Sequence, residues 1–168
     1  NNAGASWGAP FDEFPESGWD KVMDINVKSL FFLTQQLAPL MRAAATSEQP
    51  AKVINIASTD GLSNSRIETY SYSASKAAVI HLTRRLANRL AEDNIRVNAI
   101  APGAFASNMN IWARDNPENV APRIPAKRIG NPDDIAGTAV YMCSRAGDFL
   151  LGATIPLDGG TVYGTLQG

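Results

Sequence analysis

Short β-branched runs that stop abruptly on turn residues, each separated from the next by a long apolar-striped stretch, are what most restrict this chain. Lys52–Ala57, Arg96–Ala101 and Thr154–Leu157 read as strands. Between the first two, about Tyr72–Glu92 reads as a long helix rich in Ala, Leu and Arg. A further helix opens on Asn131 as N-cap and Pro132 as first helical residue, and runs to about Met142. Strands alternating with long helices call for a parallel sheet with helical crossovers, so the expected fold class is α/β, a doubly wound parallel sheet. In such sheets ligands bind beyond the carboxyl ends of the strands. Ser58 and the loop Pro102–Ser107 both fall at such ends, which locates a candidate site before any motif is considered.

The flanking regions are less regular. A first helix is expected from Ser17, where Ser17 and Asp20 have capping-box spacing, through Val22, Ile25, Val27, Leu30 and Leu37 towards Ala45. Pro39 should kink it or mark a restart, because an interior proline forfeits a hydrogen bond. Ala104–Lys127 reads as loop with one short helix, interrupted by Pro117, Pro122 and Pro125. The chain opens on the turn-rich Asn1–Pro10 without an initiator methionine, as if entered midway. One domain spanning residues 1–168 is expected, since a chain that is 45% hydrophobic has the side chains for a single core.

Charge and cysteine usage exclude several classes. A net charge of -1, with Lys and Arg scattered rather than striped, argues against a nucleic-acid partner. No apolar run approaches the roughly 20 residues of a membrane span, and no signal-peptide pattern opens the chain. The single cysteine, Cys143, permits no internal disulfide and is expected to pack as a small hydrophobe. A soluble protein of the cytoplasm, with no metal site, is the expectation.

Chemistry enters with Tyr72 and Lys76, which stand at i and i+4 at the start of a helix and so share a face. A free tyrosine titrates near ~10 and is a weak base at neutral pH. A cation a few ångström away favours the phenolate, by roughly 1 to 3 pH units, which suits the phenol to proton transfer with a hydroxyl. Taken alone, Tyr-x-x-x-Lys arises often by chance on amphipathic helices. Ser58 adds a hydroxyl at a strand end, and Asn26 adds an amide inside an apolar helix, where it must find partners. Tyr70 is a rival phenol that lies off the face shared with Lys76. His81 falls about 180° round the helix from Tyr72 and is expected at the surface.

These residues also form a pattern. Asn1-Asn2-Ala3-Gly4, Asn26-Val27, Val53 to Ser58, Tyr72-Ser73-Ala74-Ser75-Lys76, Asn98 through Pro102-Gly103, and Asp158-Gly159-Gly160 together resemble the short-chain dehydrogenase/reductase family. Trp7-Gly8, the Asn55 to Gly61 segment and the Ala101 to Ser107 loop are similar to its members named for 3-oxoacyl carrier-protein substrates, including the rhamnolipid-pathway type. The resemblance implies a Rossmann-type domain and an NAD(P)-dependent interconversion of a carbonyl and a secondary alcohol, with NADP(H) the preferred cofactor. It implies that Tyr72 is the acid in reduction and the base in oxidation, and that Lys76 holds the nicotinamide ribose and depresses the phenol's pKa. Ser58 would bind the substrate oxygen, and Asn26 would fix a water of the proton relay. Asn1, Ala3 and Gly4 would line the adenosine side of the cofactor, with Pro102, Gly103, Phe105 and Ser107 near the nicotinamide. A homodimer or homotetramer acting on a small molecule follows from the same likeness.

The pattern is incomplete. The family's opening strand, its Gly-rich phosphate turn and its cofactor-selecting residue have no counterpart here, and Gly159-Gly160 is not followed by a helix. About three β/α units of roughly 30 residues each would supply them, so the C-terminal, catalytic part of a Rossmann domain is expected, with an exposed sheet edge and apolar face. Two alternatives follow. One is a non-catalytic, truncated member that associates with full-length subunits. The other is an extended-branch epimerase or dehydratase, which fits poorly because only eight residues follow Gly160.

Overall fold

The computed structural model describes residues 1–164. Three parallel strands, β1 (Ala51–Ile56), β2 (Ile95–Pro102) and β3 (Thr154–Leu157), form a sheet in the order β1-β2-β3. Ala51 to Ile56 lie opposite Ile95 to Ile100, and Ala99 to Pro102 lie opposite Thr154 to Leu157. β2 is central, and Ile95, Val97, Ala99, Ile100 and Ala101 are wholly buried. A strand covered on both faces is largely apolar, and here Arg96 and Asn98 are the exceptions, each hydrogen-bonded.

Helix α1 (Glu16–Met23), a π-helical turn (Asp24–Lys28) and helix α2 (Ser29–Ala44) follow one another as one rod. The long helix α3 (Tyr70–Leu90) packs on β2. Short helices α4 (Ile111–Asp115) and α5 (Pro117–Val120) precede α6 (Pro132–Cys143). Leu30, Val79 and Ile80 pack with Ala57, Ala99 and Ala101, while Leu90 packs with Ile95 and Val97. Each large aliphatic side chain buried this way contributes about 1.5–3 kcal/mol.

Several sequence expectations need correction. Ser17 is not a helix cap: α1 begins at Glu16 behind Pro15, which is extended at φ -80°, ψ 140°, and no side chain caps the end. Pro39 does not restart the helix, for α2 runs through it to Ala44. The irregularity lies upstream, in the π-helical turn around Asn26. Cys143 is exposed rather than packed. Asn131 caps α6 as expected, accepting from the Asp134 N–H at 3.0 Å.

Asparagines hold the sheet in place. Asn98 donates to the Leu150 carbonyl (3.0 Å) and accepts from the Ala153 N–H (2.9 Å), guiding the chain into β3. Buried Asn55 donates to Thr83 on α3 (2.9 Å) and accepts from the Asn1 side chain (2.8 Å). Asn1 also pairs by its main chain with the outer edge of β1, donating to Ile54 and accepting from Ile56. On the outside of α2, Phe32, Leu33, Leu37 and Leu40 are exposed. Between residues 107 and 119 every side-chain hydrogen bond among the described residues is internal to that segment.

Candidate active site

Ser58 leaves β1 in an extended conformation and is 6% exposed. Its Oγ accepts the Asp60 N–H at 3.2 Å, opening the tight turn Thr59–Gly61. That turn is pressed on α3: a Cβ at Gly61 would lie 2.5 Å from the Lys76 carbonyl carbon and 2.7 Å from the Ala77 nitrogen. Only glycine lets the strand end and the helix approach so closely. The Thr59 hydroxyl donates to the Pro102 carbonyl, joining this turn to the end of β2.

Tyr72 and Lys76 share the face of α3 that meets this turn, with the Lys76 Nζ 5.5 Å from the centre of the Tyr72 ring. Lys76 is 5% exposed and donates to the Ile56 carbonyl at 2.8 Å. Removal from water disfavours its ammonium and lowers its pKa from 10.5 to about 8. The Tyr72 phenol is raised above its usual pKa, first by burial and further by the Asp60 carboxylate, against a hydrogen bond from Ser58 that favours the phenolate. This reverses the sign expected from the sequence. Lys76 donates instead to a main-chain carbonyl, and burial of the phenol dominates.

Asn26 is buried within the π-helical turn. Its Oδ1 accepts the Ala5 N–H (2.8 Å), and its Nδ2 donates to the Ala5 carbonyl (2.9 Å) and the Ser75 Oγ (2.8 Å). Ser75 in turn donates to the Tyr72 carbonyl at 2.7 Å. The amide thus ties the N-terminal segment, the α1–α2 rod and the start of α3 into one frame. Gly4 lies inside it, where a Cβ would come 3.5 Å from the Asn26 Oδ1 and 3.8 Å from the Lys76 Nζ.

Ser58, Tyr72, Lys76, Asn26, Gly4 and Pro102 are therefore neighbours around the end of β1 and the start of α3. Gly103 adjoins them, packed so closely on Asp158 that a Cβ would lie 2.8 Å from that side chain. Phe105 is half-buried, its ring on Gly130. Ala3 is exposed, Asn1 is spent on the edge of β1, and the exposed Ser107 accepts the Asn110 N–H in a local turn. Tyr70 donates to Glu68 (3.1 Å) and its ring meets Phe11 and Phe14 edge-on, away from Lys76. His81 is exposed. Asp60 and Ser75 escaped the sequence reading. Ser75 lay in view at the i+3 position from Tyr72, but nothing in Thr-Asp-Gly signals where the Asp60 carboxylate goes.

A hydroxyl, a phenol and a buried ammonium thus lie near one another at the end of β1 and the start of α3. The chain belongs to the short-chain dehydrogenase/reductase family: residues 1–162 match a family model described as enoyl-(acyl carrier protein) reductase. It is 45% identical over 163 residues to the rhamnolipids biosynthesis 3-oxoacyl-[acyl-carrier-protein] reductase of Pseudomonas aeruginosa, covering 95% of this chain and 64% of that one. It is 44% identical to the 2-dehydro-3-deoxy-D-gluconate 5-dehydrogenase of Dickeya dadantii, with 95% and 63% covered. A solved Pseudomonas aeruginosa RhlG/NADP active-site complex superposes with a TM-score of 0.90 at 44% identity, covering 95% of this chain and 64% of that one. The chain thus spans about 64% of the length of the first of these relatives.

Proposed function

We propose that this protein is an NADP(H)-dependent oxidoreductase that interconverts a carbonyl and a secondary alcohol, with a 3-oxoacyl compound as the carbonyl substrate. The observation that supports it best is the closeness of Ser58, Tyr72 and Lys76, in a chain whose relatives include an NADP complex. Lys76 and Gly4 suit the nicotinamide ribose. An ammonium has three donors, Lys76 spends one on Ile56, and Gly4 leaves the space above it free of a side chain. NADPH when bound supplies the hydride that reaches the carbonyl carbon. The chain's own residues then handle the oxygen. Tyr72, protonated at neutral pH, donates its proton to the carbonyl oxygen as the alcohol forms, and withdraws it in the reverse direction. Ser58 donates a hydrogen bond to the same oxygen and stabilises the charge building there. Lys76 binds ribose hydroxyls, and Asn26 with Ser75 fixes the first turn of α3 so that Tyr72 and Lys76 keep their separation. A water beside Asn26 would return the proton to Tyr72 from solvent.

The likeness to a sugar-acid dehydrogenase favours a second substrate class. The exposed apolar strip on α2 supports self-association as a homodimer or homotetramer. Fluorescence titration with NADPH, followed by reduction assays on 3-oxoacyl thioesters and on keto-gluconates, tests the reading in the natural protein that contains this chain. NADPH binding with thioester turnover that is lost in Tyr72→Phe is expected. Turnover of keto-gluconates alone would transfer the assignment to sugar acids, and absence of NADPH binding would overturn it.

A further inference from the structure

The motif Asp158-Gly159-Gly160 has no part in the roles above, yet three separate stretches of chain close on it just after β3. The first is the corner where β2 stops. There the Gly103 N–H donates to the Leu157 carbonyl at 3.0 Å, and a Cβ at Gly103 would lie 2.8 Å from the Asp158 Cβ and 2.9 Å from its Cα. The second is the return of the chain after α5. Ile124 is buried, the Ala126 N–H donates to the Gly159 carbonyl at 3.0 Å, and a Cβ at Gly159 would lie 2.7 Å from the Ile124 side chain. The third is the stretch that follows the motif. The Asp158 carboxylate accepts the Gly160 N–H (2.9 Å) and the Val162 N–H (2.7 Å), and its carbonyl accepts the Thr161 hydroxyl at 2.8 Å. Gly159 and Gly160 permit this turn, since their φ values of 63° and 92° are ones that L side chains rarely adopt.

Residues 104–123 therefore leave and return at one point. The side-chain hydrogen bonds of residues 107–119 stay within that stretch, so its place relative to β2 and β3 is set at the two ends. Just beyond the returning end, Lys127 is held at φ 57°, a left-handed conformation that a side chain keeps only where its surroundings impose it. The outgoing end also reaches the proton-transfer residues, because the Pro102 carbonyl accepts the Thr59 hydroxyl in the turn that follows Ser58. We infer that Asp158 is a positioning residue: its carboxylate locks the turn that carries both ends of residues 104–123, and so fixes the Pro102–Gly103 corner and the Ile124–Ala126 leg relative to Ser58. The consequence rests on the oxidoreductase reading. Asp158 then governs how firmly cofactor and substrate are held beside this corner, while the proton transfer itself stays with Tyr72.

The test is made in the natural protein that contains this chain, first by limited proteolysis. Losing a hydrogen bond to a charged acceptor raises the population of the opened turn by roughly ten- to a hundredfold, and cleavage follows that population when reclosing is fast. Asp158→Ala removes both carboxylate bonds and should speed trypsin cleavage after the exposed Arg123 and Lys127 by at least about tenfold. Cleavage after Arg84 and Arg85 on α3 should keep its wild-type rate. Asp158→Asn retains one acceptor oxygen; it should show a smaller rise of the same pattern, and it serves if the alanine form does not fold. Wild-type rates in a folded variant overturn the proposal, and so does a rise shared by Arg84 and Arg85, which reports opening of the whole molecule. Kinetics give the second readout. The Kd for NADPH and the KM for the carbonyl substrate should each rise by about tenfold, with a smaller fall in kcat; a fall in kcat with Kd and KM unmoved overturns the proposal. Faster cleavage confined to Arg123 and Lys127, in a protein whose wild type binds no NADPH, upholds the role of Asp158 in the turn and counts against the oxidoreductase reading instead.

Discussion

Replacing Lys76 by methionine should change how the stability of the chain depends on pH, by an amount that the burial of the ammonium fixes. In the unfolded chain the amine keeps its proton up to about 10.4; in the folded chain it gives it up at about 8. Between those values the unfolded state holds more protons, so stability rises with pH. Below about 8 the native state carries the full cost of a desolvated charge. Each pH unit within the window is worth about 1.4 kcal/mol, so going from pH 7 to pH 9.5 should stabilise the wild type by about 2 kcal/mol relative to Lys76→Met. Methionine keeps much of the side-chain volume, so packing contributes little to the comparison. Urea denaturation of both proteins at the two pH values measures the difference directly. If the stability gap between wild type and variant is the same at pH 7 and pH 9.5, the ammonium is not desolvated as described and the reasoning fails.

Tyr72→Phe in the natural protein should reduce kcat/KM for carbonyl reduction by about 10²–10⁴-fold, with NADPH affinity little changed by fluorescence titration. Asn26→Ala removes three hydrogen bonds that join the Ala5 segment to α3 and should cost about 2–4 kcal/mol by urea denaturation, since it leaves buried main-chain groups unpaired. Gly61→Ala drives a methyl group into the main chain of Lys76 and Ala77. It should destabilise by about 1–3 kcal/mol, and a melting temperature unchanged from wild type would show that the turn has room to spare.

The parts of this molecule written in local pattern were readable from the sequence. β2 is buried on both faces and reads as a mostly apolar run interrupted by Arg96 and Asn98, and α3 carries its own stripe of Val79, Ile80, Thr83, Ala87 and Leu90. The motif residues Ser58, Tyr72 and Lys76 were readable because their spacing and their places at strand and helix ends agree. What failed were properties set by contacts distant in sequence. Ser17 and Asp20 offered cap spacing, but Pro15 fixed the approach to α1 and Gly18 had to meet the Trp7 ring. The π-helical turn shifts the register locally without altering the apolar period, so only the triple engagement of Asn26 reveals its purpose. The direction of the Tyr72 shift is set first by burial of the phenol, which depends on contacts distant in sequence. Cys143 sat in an apolar stretch, yet Val140 and Tyr141 beside it are exposed as well.

The self-contained bonding of residues 107 to 119 gives the molecule a separable part. Ser107, Asn110, Arg114 and Asn116 knit that segment to itself, while Ser58, Tyr72 and Lys76 are fixed by the turn at Gly61, by Ile56 and by the frame around Asn26. Changes at its exposed Met109, Ile111 and Trp112 therefore break no hydrogen bond that holds Ser58, Tyr72 or Lys76.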